Sequence, residues 1–292
     1  MSLLEHTPNF LTETAVKIAA ELYGIRTTTK LLPSERDQNF LLETDSSEKF
    51  VLKIANALEN RDFLKAQNEA MNHVAKSSAL CQKVLPTLAG DTITEINSPN
   101  GATHLVRLVT YLDGIPLGNI KRHSNELLRD LGRAVAQVDK ALADFDHTAI
   151  HRKFHWDLAH GLEVCREYES LITDESLCAL VQKITADYEQ NIAPLLPNLR
   201  KSIIHNDAND YNLLVGGGDD LYSRNQSVVG VIDFGDLVHS YTVGGLAIAI
   251  AYTILEKPNP LAVAAEIVKG YHAEFALNEI ELNALFRMIC LR

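Results

Sequence analysis

One short segment of the sequence places a histidine, an acid and an amide at a spacing that could do chemistry. His205, Asp207 and Asn212 form the pattern H-x-D-x-x-x-x-N, and an apolar, strand-like run flanks it on each side. A loop fixed at both ends by buried strands can hold a carboxylate and an amide in a rigid relation. The carboxylate can then accept a proton from a hydroxyl group, and the amide oxygen can bind a cation. We expect His205 to be structural and to orient the loop through hydrogen bonds.

A second carboxylate follows at the end of the next predicted strand, 228–232. Asp233 opens the run Asp-Phe-Gly-Asp, and beside Asn212 it could complete a magnesium site of oxygen ligands. The protein-kinase catalytic loop has the same Asp-to-Asn spacing, in which the Asp meets the acceptor hydroxyl and the Asn holds a metal. Each pattern is weak alone, but their order and their positions at strand ends reinforce each other. The sequence therefore predicts phosphoryl transfer, with Asp207 as the catalytic residue.

The N-terminal part supplies candidates for nucleotide binding. Lys53 is the lone charge in the apolar strand 50–54, where a lysine is costly unless it has an anionic partner. Glu69, on the predicted helix that follows, could be that partner and direct the ammonium group toward nucleotide phosphates. Glu59 is a competing partner for Lys53, and Lys65 could instead pair with Glu69 along the helix.

The loop between the first two strands, 34–39, stands where a loop that covers phosphates belongs. It contains no G-x-G-x-x-G pattern, so phosphate contacts there must use backbone amides and small polar side chains. We therefore expect Ser34, Gln38 and Asn39 to lie in the nucleotide-binding region.

The elements that must position these residues fall into two groups. In the first part, apolar periodicity predicts helices at 12–23 and 59–78. Short apolar or β-branched runs predict strands at 30–33, 39–44, 49–55, 92–96 and 103–110, with a turn at 98–101. In the second part, helices are predicted at 123–145, 157–191, 243–256, 261–275 and 279–291, and a β-rich stretch is predicted at 201–234. The pattern predicts an α+β, two-lobed fold, with a small β-rich lobe at 1–110, a larger helical lobe at 111–292 and a hinge near 109–117.

Composition limits the class of partner. The 292 residues include 27 Lys or Arg and 38 Asp or Glu, a net charge of −11, which argues against a nucleic-acid partner. The four cysteines are widely separated and form no Cys-x-x-Cys pair, so we expect a reducing compartment. The first thirty residues lack a continuous apolar segment, and the longest apolar run, 243–255, is too short to span a bilayer. We expect a soluble, cytoplasmic protein with no membrane partner.

The whole chain resembles the aminoglycoside phosphotransferase/choline kinase superfamily, and within it the hydroxylysine kinase-like branch. The resemblance rests on Ser-x-x-Asp-Gln-Asn-Phe at 34–40, on Asn-Asp-x-Asn at 209–212, and on Ile-Asp-Phe-Gly-Asp at 232–236 before an apolar helix. It implies a protein-kinase-like fold that binds a nucleotide between its lobes. It also implies magnesium-dependent transfer of the γ-phosphoryl group of ATP or GTP to a small amine-bearing acceptor, with 5-hydroxylysine as the leading candidate. Asn212 and Asp233 would hold the metal.

The resemblance also suggests where the acceptor binds. Trp156 and Asp157 lie where relatives build acceptor pockets, although an N-cap beside a core tryptophan explains them equally well. Asp210 and Asp236 bring negative charge that suits a cationic acceptor. Asp236 has two other possible roles, as a ligand of a second metal or as the cap of the helix that follows.

Several alternatives remain open at this stage. Asn206 stands where Gly is common in the superfamily, and Asn209 where His or Asn occurs, which argues against an aminoglycoside acceptor. Homoserine, choline and ethanolamine are other possible acceptors. Bacterial relatives are often fused to a class III aminotransferase, and the chain ends at Arg292 inside a predicted helix, so we expect a piece of a longer chain. A pseudokinase that regulates such a fusion is a further possibility, whereas the missing Ala-Pro-Glu segment argues against a protein kinase.

Overall fold

Two structural units are formed by the residues that the computed structural model describes, 6–98, 101–218, 220 and 224–292. The first comprises the described residues within Met1–Ala75 and Gln82–Leu112, and the second those within Lys76–Cys81 and Asp113–Arg292. The segment Lys76–Cys81 belongs to the second unit, although the sequence analysis places it in the first. The reason is a backbone hydrogen bond from Val231 N to Leu80 O of 2.7 Å, with a parallel bridge between Cys81 and Val231.

The first unit is an antiparallel sheet with one helix on each face. Its elements in chain order are α1 (Thr12–Tyr23), β1 (Thr28–Leu32), β2 (Gln38–Glu43), β3 (Lys49–Ile54), α2 (Arg61–Val74), β4 (Val84–Leu85), β5 (Thr94–Asn97) and β6 (Thr103–Thr110). The strands are ordered β1-β2-β3-β6-β4, and β5 also pairs with β6. Alternate residues of β2, β3 and β6 pack with α1 in the main core of this unit, namely Phe40, Leu42, Leu52, Ile54, Val106 and Leu108.

Local signals set the helix ends of this unit. Gly24 ends α1 in the left-handed conformation, at a φ of 70°. Thr12 is the first helical residue, and Leu11 takes the N-cap position. Asn60 caps α2 by accepting a hydrogen bond from Asp62 N, so the helix starts at Arg61 and not at the predicted residue 59. The central residues of the predicted turn 98–101, Pro99 and Asn100, lie outside the described residues.

The second unit is mainly helical. Its elements are β7 (Ile115–Pro116), α3 (Asn125–Leu142), α4 (Gly161–Tyr168), α5 (Glu175–Asn191), β8 (Lys201–Ile204), β9 (Leu213–Gly216), β10 (Ser227–Val231), β11 (Val238–Tyr241), α6 (Thr242–Thr253), α7 (Pro260–Glu274) and α8 (Glu279–Leu291). β10, β9 and β7 form one small sheet, and β11 pairs with β8. The β-rich first unit and the mainly helical second unit confirm the predicted α+β class.

One predicted helix of this unit is wrong. The single helix expected at 157–191 is divided into α4 and α5, because Asp174 starts a new helix by accepting hydrogen bonds from Ser176 N and Leu177 N. The apolar run at 243–255 forms the buried α6. None of the helices in the described part of the chain combines the length and the apolar character that crossing a bilayer requires.

α3 and α7 approach so closely that their backbones touch through two glycines. A Cβ atom added at Gly132 would lie 1.9 Å from the carbonyl oxygen of Ile267, and one added at Gly270 would lie 1.8 Å from that of Arg129. Neither neighbour is a flexible side chain, so the helices would have to separate.

We expect Gly132→Ala to lower the free energy of unfolding by about 2 kcal/mol or more, because the added methyl group overpacks a backbone contact. Urea denaturation measures the change. Glu126→Ala, at an exposed position of the same helix, should change the stability by less than about 0.5 kcal/mol. Equal stabilities of Gly132→Ala and the wild type would contradict the close approach.

Candidate active site

His205 holds the loop between β8 and β9 in place. It is buried, its Nδ1 accepts a hydrogen bond from Asp207 N at 3.3 Å, and its Nε2 lies 3.0 Å from the carbonyl oxygen of Ile232. Burial lowers the pKa of His205, so the ring is neutral with its proton on Nε2, and this nitrogen donates to Ile232. These two bonds tie the backbone of Asp207 to the residue before Asp233. His205 therefore has a positioning function.

The carboxylate of Asp207 is fixed by two asparagines of its own loop. Its Oδ1 accepts a hydrogen bond from Asn209 Nδ2 at 2.9 Å, and its Oδ2 accepts one from Asn212 Nδ2 at 2.8 Å. Asn212 Nδ2 also lies 2.9 Å from the main-chain oxygen of Asp207. The oxygen of Asn209 accepts in turn from the backbone N–H groups of Tyr211 and Asn212, which shapes the turn. Asp207 thus has little rotational freedom.

The surroundings of Asp207 make it a stronger base than an ordinary aspartate. Its pKa is raised to about 6, mainly by burial and in addition by the negative charges of Asp236 and Asp233, whereas the hydrogen bond from Asn209 and the charge of Arg292 oppose the rise. A pKa near the working pH is what general-base catalysis requires.

Asp233 directly follows the segment that His205 and Asn212 hold. Ile232 N donates to the main-chain oxygen of Asn212 at 3.0 Å, so Asn212 and Asp233 lie at adjoining ends of paired strands. Asp233 is exposed and adopts a left-handed backbone conformation with φ 63° and ψ 76°, which is uncommon for a residue with a side chain. Its Oδ1 accepts from Gly235 N at 3.3 Å. Such conformations concentrate at functional sites.

Asn212 and Asp233 provide the donor chemistry that magnesium prefers. The nitrogen of the Asn212 amide is used by Asp207, which leaves the amide oxygen for a cation, and Asp233 adds an exposed carboxylate. A cation would also offset the negative charge that Asp233 and Asp236 bring to Asp207. Within the described ranges, no three His, Cys, Asp or Glu side chains form a metal-binding group. Water and phosphate oxygens would therefore complete the shell, as is usual for magnesium.

Two of the predicted acceptor residues differ sharply in exposure. Asp157 is 3% exposed, and its Oδ1 accepts hydrogen bonds from Ala159 N and from the hydroxyl of Ser240. It caps a short 3-10 helix, so the structure favours the N-cap role over acceptor binding. Trp156 is 57% exposed, which is incompatible with a core tryptophan and leaves its indole ring accessible.

Of the other two predicted acceptor residues, Asp210 lies in the loop between β8 and β9, and Asp236 lies three residues after Asp233. The main-chain oxygen of Asp210 accepts a hydrogen bond from Gly118 N at 2.8 Å. A Cβ atom at Gly118 would lie 2.7 Å from Asp210 Oδ2, so the two residues pack tightly. Asp236 is buried at the end of a short 3-10 helix, Phe234–Asp236. It does not cap α6, whose N-cap residue is Tyr241.

In the first unit, Lys53 lies on β3 between two polar cross-strand neighbours. It pairs with Asn39 on β2 and with Arg107 on β6, and it is partly exposed. Glu69 lies on the exposed side of α2. The hydrogen bonds that link the sheet to α2 include those from the buried Arg107 to Gln67 Oε1 and Asn68 Oδ1, at 2.5 and 2.7 Å.

The loop before β2 is fixed by contacts of its own. Gln38 uses both ends of its side-chain amide on the main chain of Phe10, at 2.8 and 2.9 Å, which gives it a structural function. Asp37 accepts a hydrogen bond from Asn56 N at 3.0 Å. Ser34 is exposed, and the side-chain oxygen of Asn39 is buried without a hydrogen-bond partner among the described residues. Ser34 and Asn39 thus keep polar groups available.

Sequence reasoning missed three residues of these surroundings. Asn209 orients Asp207, Arg107 links Lys53's neighbouring strand to α2, and Arg292 adds positive charge near Asp207. The role of Asn209 could have been inferred from its position between Asp207 and Asn212. The roles of the two arginines could not, because their partners are distant in sequence.

Residues 28–282 match the phosphotransferase enzyme family. A hydroxylysine kinase from Danio rerio is 31% identical over 303 residues, covering 100% of this chain and 84% of the relative. An aminopropanol kinase associated with a microcompartment has a similar fold, with a TM-score of 0.74, 18% identity and coverage of 96% of this chain and 86% of the other.

An amicoumacin kinase in complex with AMP-PNP and Ca²⁺ has the same fold, with a TM-score of 0.72, 14% identity and coverage of 97% of this chain and 84% of the other. These likenesses confirm the kinase-like fold that the resemblance predicts, and the fold implies a nucleotide as phosphoryl donor. The chain belongs to the phosphotransferase enzyme family and is a small-molecule kinase that phosphorylates hydroxyl groups.

Proposed function

We propose that this kinase transfers the γ-phosphoryl group of ATP or GTP, with Mg²⁺, to the hydroxyl group of 5-hydroxylysine. The observation that carries the proposal is the clamped carboxylate of Asp207, which two asparagines hold beside the strand end that bears Asp233. The full-length similarity to a chain named hydroxylysine kinase supports this acceptor.

Each residue has a distinct function in this proposal. Asp207 orients the acceptor hydroxyl and takes its proton, late in a loose transition state. Asn212 and Asp233 hold magnesium, which when bound offsets the charge on the phosphoryl oxygens. Lys53 binds the α- and β-phosphates and Glu69 positions it.

The charge around Asp207 supports an acceptor with an amine. Burial is the main cause of the raised pKa of Asp207, and the negative charge of Asp236 contributes to it. A protonated amine gains from such a negative field, and a neutral alcohol of the same size does not. 5-Hydroxylysine carries its hydroxyl group next to a terminal aminomethyl group, so an acceptor whose hydroxyl meets Asp207 would bring its amine toward Asp236, while Asp233 holds magnesium.

We expect release of nucleoside diphosphate to depend on magnesium and to rise at least tenfold above its basal rate when 5-hydroxylysine is added. The assay compares ATP with GTP, and 5-hydroxylysine with homoserine, choline and ethanolamine. Lysine is the matched control, since it lacks only the hydroxyl group and should not stimulate release. Stimulation by lysine, or by another acceptor in place of 5-hydroxylysine, would refute the proposed acceptor.

A further inference from the structure

Arg292 presents an anchored guanidinium group that the mechanism above does not use. Its Nη1 donates to the main-chain oxygen of Trp156 at 2.8 Å, and its Nη2 lies 3.5 Å from the hydroxyl of Tyr252. The group also lies 5.6 Å from the ring centre of each of these two residues, which is cation–π distance. No carboxylate elsewhere in the described part of the chain forms an ion pair with it.

The segment 152–157, which contacts Arg292 through Trp156, is hydrogen-bonded to the segment that follows Asp233. Arg152 donates from Nη2 to the carbonyl oxygen of Gly235 at 3.1 Å and from Nε to that of Leu237 at 3.3 Å. Asp157, next to Trp156, accepts a hydrogen bond from Ser240. Hydrogen bonds therefore link the Trp156 segment to the segment carrying Asp236.

The end of α8 is held against the same surface. A Cβ atom added at Gly161 would lie 2.8 Å from Leu291 Cδ2, so the last turn of α8 packs closely on the start of α4. This contact, with the bond to Trp156, fixes the position of Arg292. Through the segment 152–156, Arg292 is connected to Gly235, which lies between Asp233 and Asp236.

We propose that Arg292 binds the carboxylate of an amino-acid acceptor, and that Trp156 and Tyr252 hold its guanidinium group for this purpose. The inference rests on the proposed function and adds the residue that binds the acid end of the acceptor, which would distinguish α-amino acids from simple amino alcohols. The guanidinium keeps N–H donors beyond those used on Trp156 and Tyr252, and its planar fork matches a carboxylate. Arg292 binds the acid end of the acceptor, and the acidic groups around Asp207 attract its amine.

The first test uses the wild-type protein and two acceptors. 5-Hydroxylysine is compared with its decarboxylated counterpart, the amino alcohol that lacks only the carboxylate. We expect a KM at least roughly tenfold higher for the decarboxylated compound, because a charged hydrogen-bonded pair is lost. Equal KM values would overturn the carboxylate site while leaving the proposed function intact. Transfer to neither compound would overturn the proposed function, and this inference with it.

The second test changes the arginine. Arg292→Gln should raise the KM for 5-hydroxylysine by roughly tenfold or more, with a smaller change in kcat and no change in the KM for the decarboxylated compound. Arg292→Lys should recover part of the affinity. Arg287→Gln, on the same helix but bonded to Asp187, is the matched control and should leave both KM values unchanged. An unchanged KM for 5-hydroxylysine in Arg292→Gln would refute the assignment.

Discussion

Asp207→Asn should lower kcat by about 10²–10⁴ and leave the affinity for the nucleotide unchanged. The substitution keeps the size of the side chain but replaces one of the two oxygens that accept from Asn209 and Asn212 with an amide nitrogen, and it removes the group that accepts the proton. The loss corresponds to roughly 3–5 kcal/mol in the activation free energy. Steady-state kinetics with 5-hydroxylysine, together with nucleotide titration calorimetry, measures both quantities.

The matched control is Asp146→Asn, at an exposed aspartate of the same unit whose side chain bonds to His151. Its kcat should equal that of the wild type. An Asp207→Asn protein with full turnover would remove Asp207 from the catalytic role.

In the wild type, kcat/KM should also fall as the pH drops through about 6, because the raised pKa of Asp207 lets the base become protonated there.

Asp233→Ala should abolish the magnesium-dependent part of nucleotide binding. The carboxylate of Asp233 is the charged ligand in the proposed metal site, and without it the Asn212 oxygen remains as a neutral one. Titration calorimetry with and without magnesium measures the effect. We expect the affinity measured in magnesium to drop to the value measured without it.

Backbone strain at Asp233 calls for a second variant. Alanine is strained at a φ of 63°, whereas glycine adopts this conformation freely. Asp233→Gly therefore removes the carboxylate without adding strain, and it should lose the magnesium dependence to the same extent. If both variants kept normal magnesium-dependent binding, Asp233 would not be a metal ligand.

The contact between Asp207 and Asn212 could be predicted from the sequence because it is local. Asp207 and Asn212 bond to each other within one loop, and their spacing is visible in the chain. The short apolar runs on either side of the loop form β8 and β9 in the structure. Apolar periodicity and residue spacing are sufficient to predict such features, because the contacts involved lie within one short stretch of the chain.

Features that depend on distant residues could not be predicted. Arg107 is buried because Gln67 and Asn68 of a separate helix satisfy its guanidinium group, and nothing near it in the sequence indicates them. Arg292 meets Trp156 through the packing of α8, which a helical pattern does not specify. The break before α5 had a local signal in Asp174, but the surrounding helical pattern outweighed it.

The most direct test of the account is to follow the γ-phosphoryl group itself. The wild-type protein is incubated with magnesium, 5-hydroxylysine and ATP or GTP carrying ¹⁸O in the γ-phosphoryl oxygens, and the products are analysed by mass spectrometry. We predict that the labelled phosphoryl group appears on the hydroxyl oxygen of 5-hydroxylysine, and that this product is lost with Asp207→Asn. Label that appears in inorganic phosphate alone, or remains on the nucleotide, would contradict phosphoryl transfer to this acceptor.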